Sequence, residues 1–276
     1  MSAVASITRF DCSGLAEDAA GTAELIEAAA DFFVRDGYAI LDNVLPRDKV
    51  EALRRAFSEH YAWQLENEEG KDALEVGERR HMFSIRFDDR FADHRVFANP
   101  FVVALVRKVL EPKAILEAYG CILSLPGAPQ QHRHHDGPHL FGTRLSAMLP
   151  AYALTVAIPL VDMNENHGST MLLPGSHRWT EIREGAATVL PVVPQGSCVL
   201  WDYRLRHFGT ENRSQVARPM LYCTFARPWY KDPVNFRDTP RMRRLDFSPS
   251  FVESLPEDIR GLVGHALETT PADGQA

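Results

Sequence analysis

Two kinds of apolar spacing divide the chain. Through the first 110 residues the apolar positions mostly recur every three or four residues, the period of a helix with one face turned to a core. Leu25, Ala29 and Phe32 or Phe33 share such a face; Thr22 can cap that helix and Gly37 ends it. Val50, Leu53, Phe57 and Tyr61 repeat the pattern in a second helix that starts at Pro46-Arg47-Asp48, and Phe101 to Leu110 repeats it in a third, ended by Pro112. Short strands are predicted between them at Tyr38 to Leu41 and Arg79 to Ile85, whereas the acidic, aperiodic stretch 63–77 suits an exposed loop.

Beyond Pro112 the apolar residues come in short continuous or alternating runs. Strands are predicted at Ala114 to Ser124, Leu154 to Val161, Ser169 to Leu173, Ser197 to Trp201 and Met220 to Phe225, with Gly, Pro and Asn turns between them. Many short strands with few helices in between fit a closed or double-sheet β architecture better than a βαβ sheet. One further helix is predicted near the end, with Pro256 at its first turn, Glu257 and Asp258 favouring the dipole, and Ile259, Leu262, Val263 and Ala266 on one face. Residues 1–20 read as a loosely ordered lead, 21–269 as a single domain and 270–276 as a frayed tail.

Composition narrows the function without choosing it. The 276 residues are 45% hydrophobic and 24% charged, ordinary for a globular protein with a buried core. A net charge of -7 gives no general attraction to nucleic acid or anionic lipid. The densest basic run, Arg241, Arg243 and Arg244, reads as a solvated face. Cys12, Cys121, Cys198 and Cys223 lack any Cys-x-x-Cys spacing, and the last three lie in apolar runs that suit inert buried thiols. With no leader pattern and no apolar run long enough to cross a bilayer, the expected location is the cytoplasm, with a small-molecule substrate and neither nucleic acid nor membrane as partner. The oligomeric state is not legible.

The chemistry concentrates in Gln131-His132-Arg133-His134-His135-Asp136-Gly137-Pro138-His139. On an extended segment His134 and Asp136 point to the same face and can grip one ion. Two imidazoles and one carboxylate on one face of an octahedron are what a mononuclear non-haem Fe(II) site requires, and His207 is the candidate second imidazole. Other pairings compete. His132 and His134 also share a face but lack a carboxylate in the matching place, while His135 and His139 would need a helix that Gly137-Pro138 opposes. His135 is expected to point away from the ion.

The ordered set of Gln131, His134 and Asp136, Pro174-Gly175-Ser176-His177, His207, and Arg218 eleven residues later resembles the phytanoyl-CoA dioxygenase family of Fe(II)/2-oxoglutarate oxygenases. The run Phe33 to Tyr38 is similar to that family's usual start, so the likeness spans most of the chain. It implies a double-stranded β-helix of the jelly-roll or cupin-like kind, mainly β with flanking helices. It also implies Fe(II) on His134, Asp136 and His207, with 2-oxoglutarate and O2 as cosubstrates. Arg218 would anchor the far carboxylate of 2-oxoglutarate through a two-pronged hydrogen bond, reached through the Gly209 to Ser214 turn and back along a neighbouring strand. Gln131 and Thr170 would add polar contacts, with Arg80 or Arg79 a further one. Trp201, Tyr203 and Phe208 would wall off water, and His177 reads as structural or cavity-lining.

The activity so implied is oxidation of an unactivated C–H bond of a small organic substrate, by default hydroxylation, with release of succinate and CO2. The ligand spacing and chain size resemble the branch acting on secondary metabolites. Two alternatives remain: a halogenase of the same family, opposed by Asp136 standing where a halide would bind, and a cupin-like metal or ligand binder without oxygen chemistry.

Overall fold

The structure is a computed structural model that describes residues 7–17, 19–67, 69, 73–235 and 244–267. In chain order its elements are β1 (Phe10–Asp11), α1 (Ala20–Asp36), β2 (Tyr38–Asp42), α2 (Arg47–His60), α3 (Ala62–Leu65), β3 (Leu74–Gly77), β4 (Arg80–Ser84), α4 (His94–Phe97), α5 (Pro100–Val109) and β5 (Ile115–Ser124). These are followed by α6 (Thr143–Met148), β6 (Ala153–Pro159), β7 (Thr170–Leu172), β8 (Cys198–Asp202), β9 (His207–Gly209), β10 (Arg218–Ala226), α7 (Pro249–Ser254) and α8 (Glu257–Val263). Eight strands form one sheet in the order β1-β2-β8-β6-β10-β5-β4-β3, and β7 pairs with β9 in a second, smaller sheet.

The large sheet is covered on both faces, which is why its strands read as nearly continuous apolar runs. Leu221, Cys223 and Phe225 of β10, with Leu154, Val156 and Ile158 of β6, pack against Ile26 and Phe33 of α1, Leu53 and Phe57 of α2, Val106 of α5 and Leu262 of α8. Full burial of each such aliphatic or aromatic side chain contributes about 1.5–3 kcal/mol, and the larger buried apolar cluster lies on this helix-covered face. The opposite face looks toward the small sheet, and on it Met82, Ile122 and Met220 stand in register across β4, β5 and β10. Trp201, Thr155 and Thr224 form a second register row across β8, β6 and β10. All six line one cavity.

The structure differs from the sequence reading at several termini. Thr22 does not cap α1; the helix begins at Ala20, and the buried Thr22 hydroxyl donates to the Ala16 carbonyl at 2.6 Å. Gly37 does end α1: it adopts φ 83°, its N–H reaches Phe33, and a Cβ there would come within 2.4 Å of His177 Nδ1. Part of the expected loose lead is ordered, because β1 pairs parallel to β2 and Arg9 meets both Asp42 carboxylate oxygens. The expected loop at 63–77 is bounded by α3 and by β3, which joins β4 as a hairpin. Arg244 is not part of a solvated face, since it pairs with the buried Glu117; Arg241, Arg243 and the expected frayed tail lie outside the described residues. All four cysteines are buried and free. Among the described residues no helix is long and apolar enough to cross a membrane.

Candidate metal and cosubstrate site

A cavity of about 220 Å³ lies between the two sheets. His134 and His207 are brought together by the backbone: each donates its N–H to the other's carbonyl, at 3.0 and 2.8 Å, and their rings lie 4.5 Å apart. Because His134 sits in extended backbone, Asp136 falls on the same side two residues later. One potential ligand atom from each of His134, Asp136 and His207 lies within 4.8 Å of the others, a grouping that could hold a metal ion.

The three side chains are aimed by their surroundings. His134 Nδ1 donates to the His132 carbonyl and His207 Nδ1 to the Leu205 carbonyl, each at 2.9 Å. A carbonyl can only accept, so both rings carry their proton on Nδ1 and turn Nε2 to the shared space. Asp136 Oδ2 accepts from the Thr155 hydroxyl and from Trp201 Nε1, both at 2.8 Å, which leaves Oδ1 at 3.4 Å from His207 Nε2. Thr155 and Trp201 are register partners on adjacent strands, and this is how two residues far apart in sequence reach one oxygen.

Electrostatics follows the same plan. Burial pushes the Asp136 carboxyl up, but the His207 and His134 imidazoles and the Trp201 hydrogen bond outweigh it and hold the group well below the usual carboxylate range. Burial lowers His207 too, yet the adjacent Asp136 carboxylate wins and raises it. Burial and the neighbouring His207 lower His134.

Arg218 lies on the opposite wall. It heads β10 in the large sheet, so the chain crosses from one sheet to the other after β9, and the expected return along a strand adjacent to β9 is not what occurs. Arg218 is 2% exposed and lines the cavity; its contact at 4.0 Å is the Met163 sulfur, and its Nε has no partner. Among the described residues no carboxylate pairs with it. Burial, then the repulsion of Arg80, pulls it down to about 9, which leaves it cationic at neutral pH. Arg80 and Arg218 both register with Ser124 of β5, from opposite sides, so their backbones stand about 10 Å apart on one face.

The remaining expectations are sorted by the same geometry. Arg80 donates through its two terminal nitrogens to the Pro129 and Thr210 carbonyls and does not line the cavity; it ties the ligand loop to the turn after β9 instead of offering its fork to a ligand. Arg79 turns its Nε to the Pro126 carbonyl. Gln131 does line the cavity, but its amide bridges the Val76 carbonyl and the Gly209 N–H, clamping loop to strand; a Cβ on Gly209 would sit 2.6 Å from the Gln131 Oε1. Thr170 lines the cavity at the head of β7.

Trp201 and Tyr203 belong to the wall, whereas Phe208 faces the other side of β9 beneath Arg133. His135 lines the mouth with its ring 5.8 Å from His139, outside the three-residue ligand group. His177 is structural, bonding the Val34 carbonyl. The sequence marks Thr155 and Asn235 only weakly or not at all. A threonine inside an apolar strand is the only signal for Thr155, and none marks Asn235.

The family model for phytanoyl-CoA dioxygenase (PhyH) matches residues 33–220, a span that holds His134, Asp136, His207 and Arg218. The chain belongs to the phytanoyl-CoA dioxygenase family. Among its relatives, the dioxygenase trt7 of Aspergillus terreus is 25% identical over 250 residues, covering 86% of this chain and 82% of its own. The dioxygenase cdmA of Talaromyces verruculosus is 22% identical, with 90% and 85% covered. The α-ketoglutarate-dependent epimerase SnoN from nogalamycin biosynthesis superposes with a TM-score of 0.56 at 18% identity, covering 80% of this chain and 94% of its own. HygX from Streptomyces hygroscopicus, solved with nickel and 2-oxoglutarate bound, gives 0.59 at 16% identity, with 80% and 95% covered. At these identities the structural likeness concerns the fold, which is the double-stranded β-helix of this phytanoyl-CoA dioxygenase family member.

Proposed function

We propose that this phytanoyl-CoA dioxygenase family member is an Fe(II)- and 2-oxoglutarate-dependent dioxygenase that oxidises an unactivated C–H bond of a small organic substrate. Hydroxylation is the default outcome, with succinate and CO2 released. The observation that carries this reading is Arg218: a buried guanidinium with no carboxylate partner among the described residues, facing the same cavity as a His-Asp-His group. A metal binder without oxoacid chemistry has no use for such a cation, because an uncompensated buried charge costs several kcal/mol.

The donor set suits ferrous iron, with two neutral imidazole nitrogens and one carboxylate oxygen. Iron held by His134, Asp136 and His207 would supply the coupling of O2 to oxidative decarboxylation of 2-oxoglutarate. The chain's own part is to aim these ligands, to bind the far carboxylate on Arg218 with the Thr170 hydroxyl nearby, and to keep water out with Trp201, Ile122 and Met220. The substrate proposed is a secondary metabolite, a reading supported by SnoN, which was solved with Fe3+, α-ketoglutarate and nogalamycin RO.

The test is anaerobic addition of Fe(II) and 2-oxoglutarate, followed by oxygen with a metabolite library. The visible charge-transfer band of the chelate and oxygen uptake coupled to succinate formation are expected. A protein that binds iron and gives neither is a plain metal binder. With chloride or bromide present the products should be oxygenated, since Asp136 occupies the place of a halide; efficient halogenation would overturn that part.

A further inference from the structure

The segment after β10 folds back onto the ligand loop. Asp232 is fully buried; its Oδ1 accepts from the N–H groups of Val234 and Asn235 at 2.7 and 3.0 Å, and its Oδ2 accepts from the Tyr203 hydroxyl at 2.7 Å and from Asn235 Nδ2 at 2.8 Å. Asn235 Nδ2 also donates to the backbone carbonyl of Asp136 at 2.8 Å. A carboxylate and a backbone carbonyl cannot donate, so both N–H bonds of the Asn235 amide are used and its orientation is set. A flip would place its oxygen against two other oxygens.

Asn235 Oδ1 is therefore turned away from both acceptors and has no partner among the described residues, while Asn235 lines the cavity that holds His134, Asp136 and His207. Asp232 is pinned in turn, because its N–H donates to Glu117 and its carbonyl accepts from Arg244. The result is a rigid acceptor on a side chain held against the Asp136 backbone and bordering the same cavity, polarised by the two bonds its own NH2 group makes. A residue that served only to hold the Asp136 turn would not need to border the cavity.

We propose that Asn235 Oδ1 accepts a hydrogen bond from a hydroxyl or amine of the substrate, which makes Asn235 a specificity-determining residue and restricts substrates to molecules carrying such a donor near the oxidised C–H. This rests on the dioxygenase reading above. A site built to bond a substrate hydroxyl rejects the analogue that lacks it more strongly than an apolar pocket rejects a missing methylene, because the protein group is left unpaired.

The test needs no known substrate. Benzyl alcohol and benzylamine are compared with ethylbenzene, and cyclohexanol with methylcyclohexane, by ligand-observed NMR on the full chain, both metal-free and loaded with Ni(II) and 2-oxoglutarate. The donor-bearing member of at least one pair should bind about tenfold more tightly or better, and the alcohol and amine arms show which donor is preferred. In Asn235→Ala the preference should fall to near unity, compared at metal and 2-oxoglutarate concentrations that saturate the variant, where the Fe(II)–2-oxoglutarate band still forms. Equal or absent binding across all pairs in the unmodified protein overturns the proposal whether or not the variant folds, and so does a preference that survives in Asn235→Ala. If the chelate band never forms yet the metal-free protein keeps the Asn235-dependent preference, the dioxygenase reading fails and the donor site stands.

Discussion

The His134–Asp136–His207 side of the cavity and the Arg218 side hold their charges in different ways. On the first, both imidazoles donate Nδ1 to a backbone carbonyl and the carboxylate is fixed by Thr155 and Trp201. On the second, a guanidinium 2% exposed meets a methionine sulfur and carries an unpartnered Nε. A side with every donor aimed suits an ion whose ligand geometry must be ready before it arrives. A cation that no carboxylate among the described residues balances suits an anion that comes and goes with each reaction cycle. If this contrast is correct, substitutions on the two sides should separate into metal effects and cosubstrate effects.

The largest effect should come from the ligands themselves. Ala at His134, Asp136 or His207 should remove iron-dependent turnover while circular dichroism and the melting profile stay close to normal, because the stabilising core lies on the helix-covered face of the large sheet. Normal turnover in any of these variants would remove that residue from the ligand set. His135→Ala is the matched control and should keep much of its iron binding, since the ring sits outside the ligand group.

On the other side, Arg218→Leu should leave iron binding intact and weaken 2-oxoglutarate. Leaving a buried carboxylate unpaired costs about 3–5 kcal/mol, a loss in affinity on the order of hundreds or more. Arg218→Lys should be milder, keeping the charge and losing the fork. Anaerobic titration of the chelate band measures both. Unchanged affinity in Arg218→Leu would shift the anchor elsewhere, although Arg80 and Arg79 already spend nitrogens on backbone carbonyls.

What the sequence carried depends on whether an interaction is local or crosses the sheets. Helix faces and most strands were legible because burial imposes a period on consecutive residues. His134 and Asp136 stand out for the same reason, being two apart on one extended segment, and the structure groups His207 with them and brings Arg218 to the same cavity. Thr155 was not legible, because its bond to Asp136 arises only when β6 and β8 come into register. Asn235 reaches Asp136 across 99 residues through a turn with no hydrophobic pattern. Arg80 was misread because an arginine at a strand end looks the same in sequence whether its fork meets a ligand or two carbonyls. The short β1 escaped since two residues cannot display a period.

Thr155→Val sharpens the comparison further, because it removes one of two hydrogen bonds to Asp136 Oδ2 and changes little in volume. Loss of a partner that orients a metal ligand typically costs about 10- to 100-fold in metal affinity or activity. Fe(II) affinity should fall within that range, while 2-oxoglutarate affinity, measured at saturating metal, should stay nearly constant. A drop confined to 2-oxoglutarate would dissolve the division between the two sides.

The smallest expected effect is that of pH on metal binding, and its sign follows from the His207–Asp136 pair. Asp136 raises His207, so His207 Nε2 keeps a proton to higher pH than a free imidazole does. A metal taken up at that nitrogen must displace the proton, so affinity should rise with pH until His207 is neutral without the metal, and then level off. One displaced proton sets an upper limit of about tenfold per pH unit. The Asp136 carboxyl, held well below its ordinary range, is already ionised and adds no slope near neutrality. Isothermal titration with Mn(II) or Co(II) between about pH 6 and about pH 8, in buffers of different ionisation enthalpy, reads both the slope and the proton released. In His207→Ala the slope should vanish along with most of the affinity; in Arg218→Leu it should remain, since that side of the cavity takes no part in the exchange. A slope lost in Arg218→Leu would mean that the two sides titrate together and are not independent.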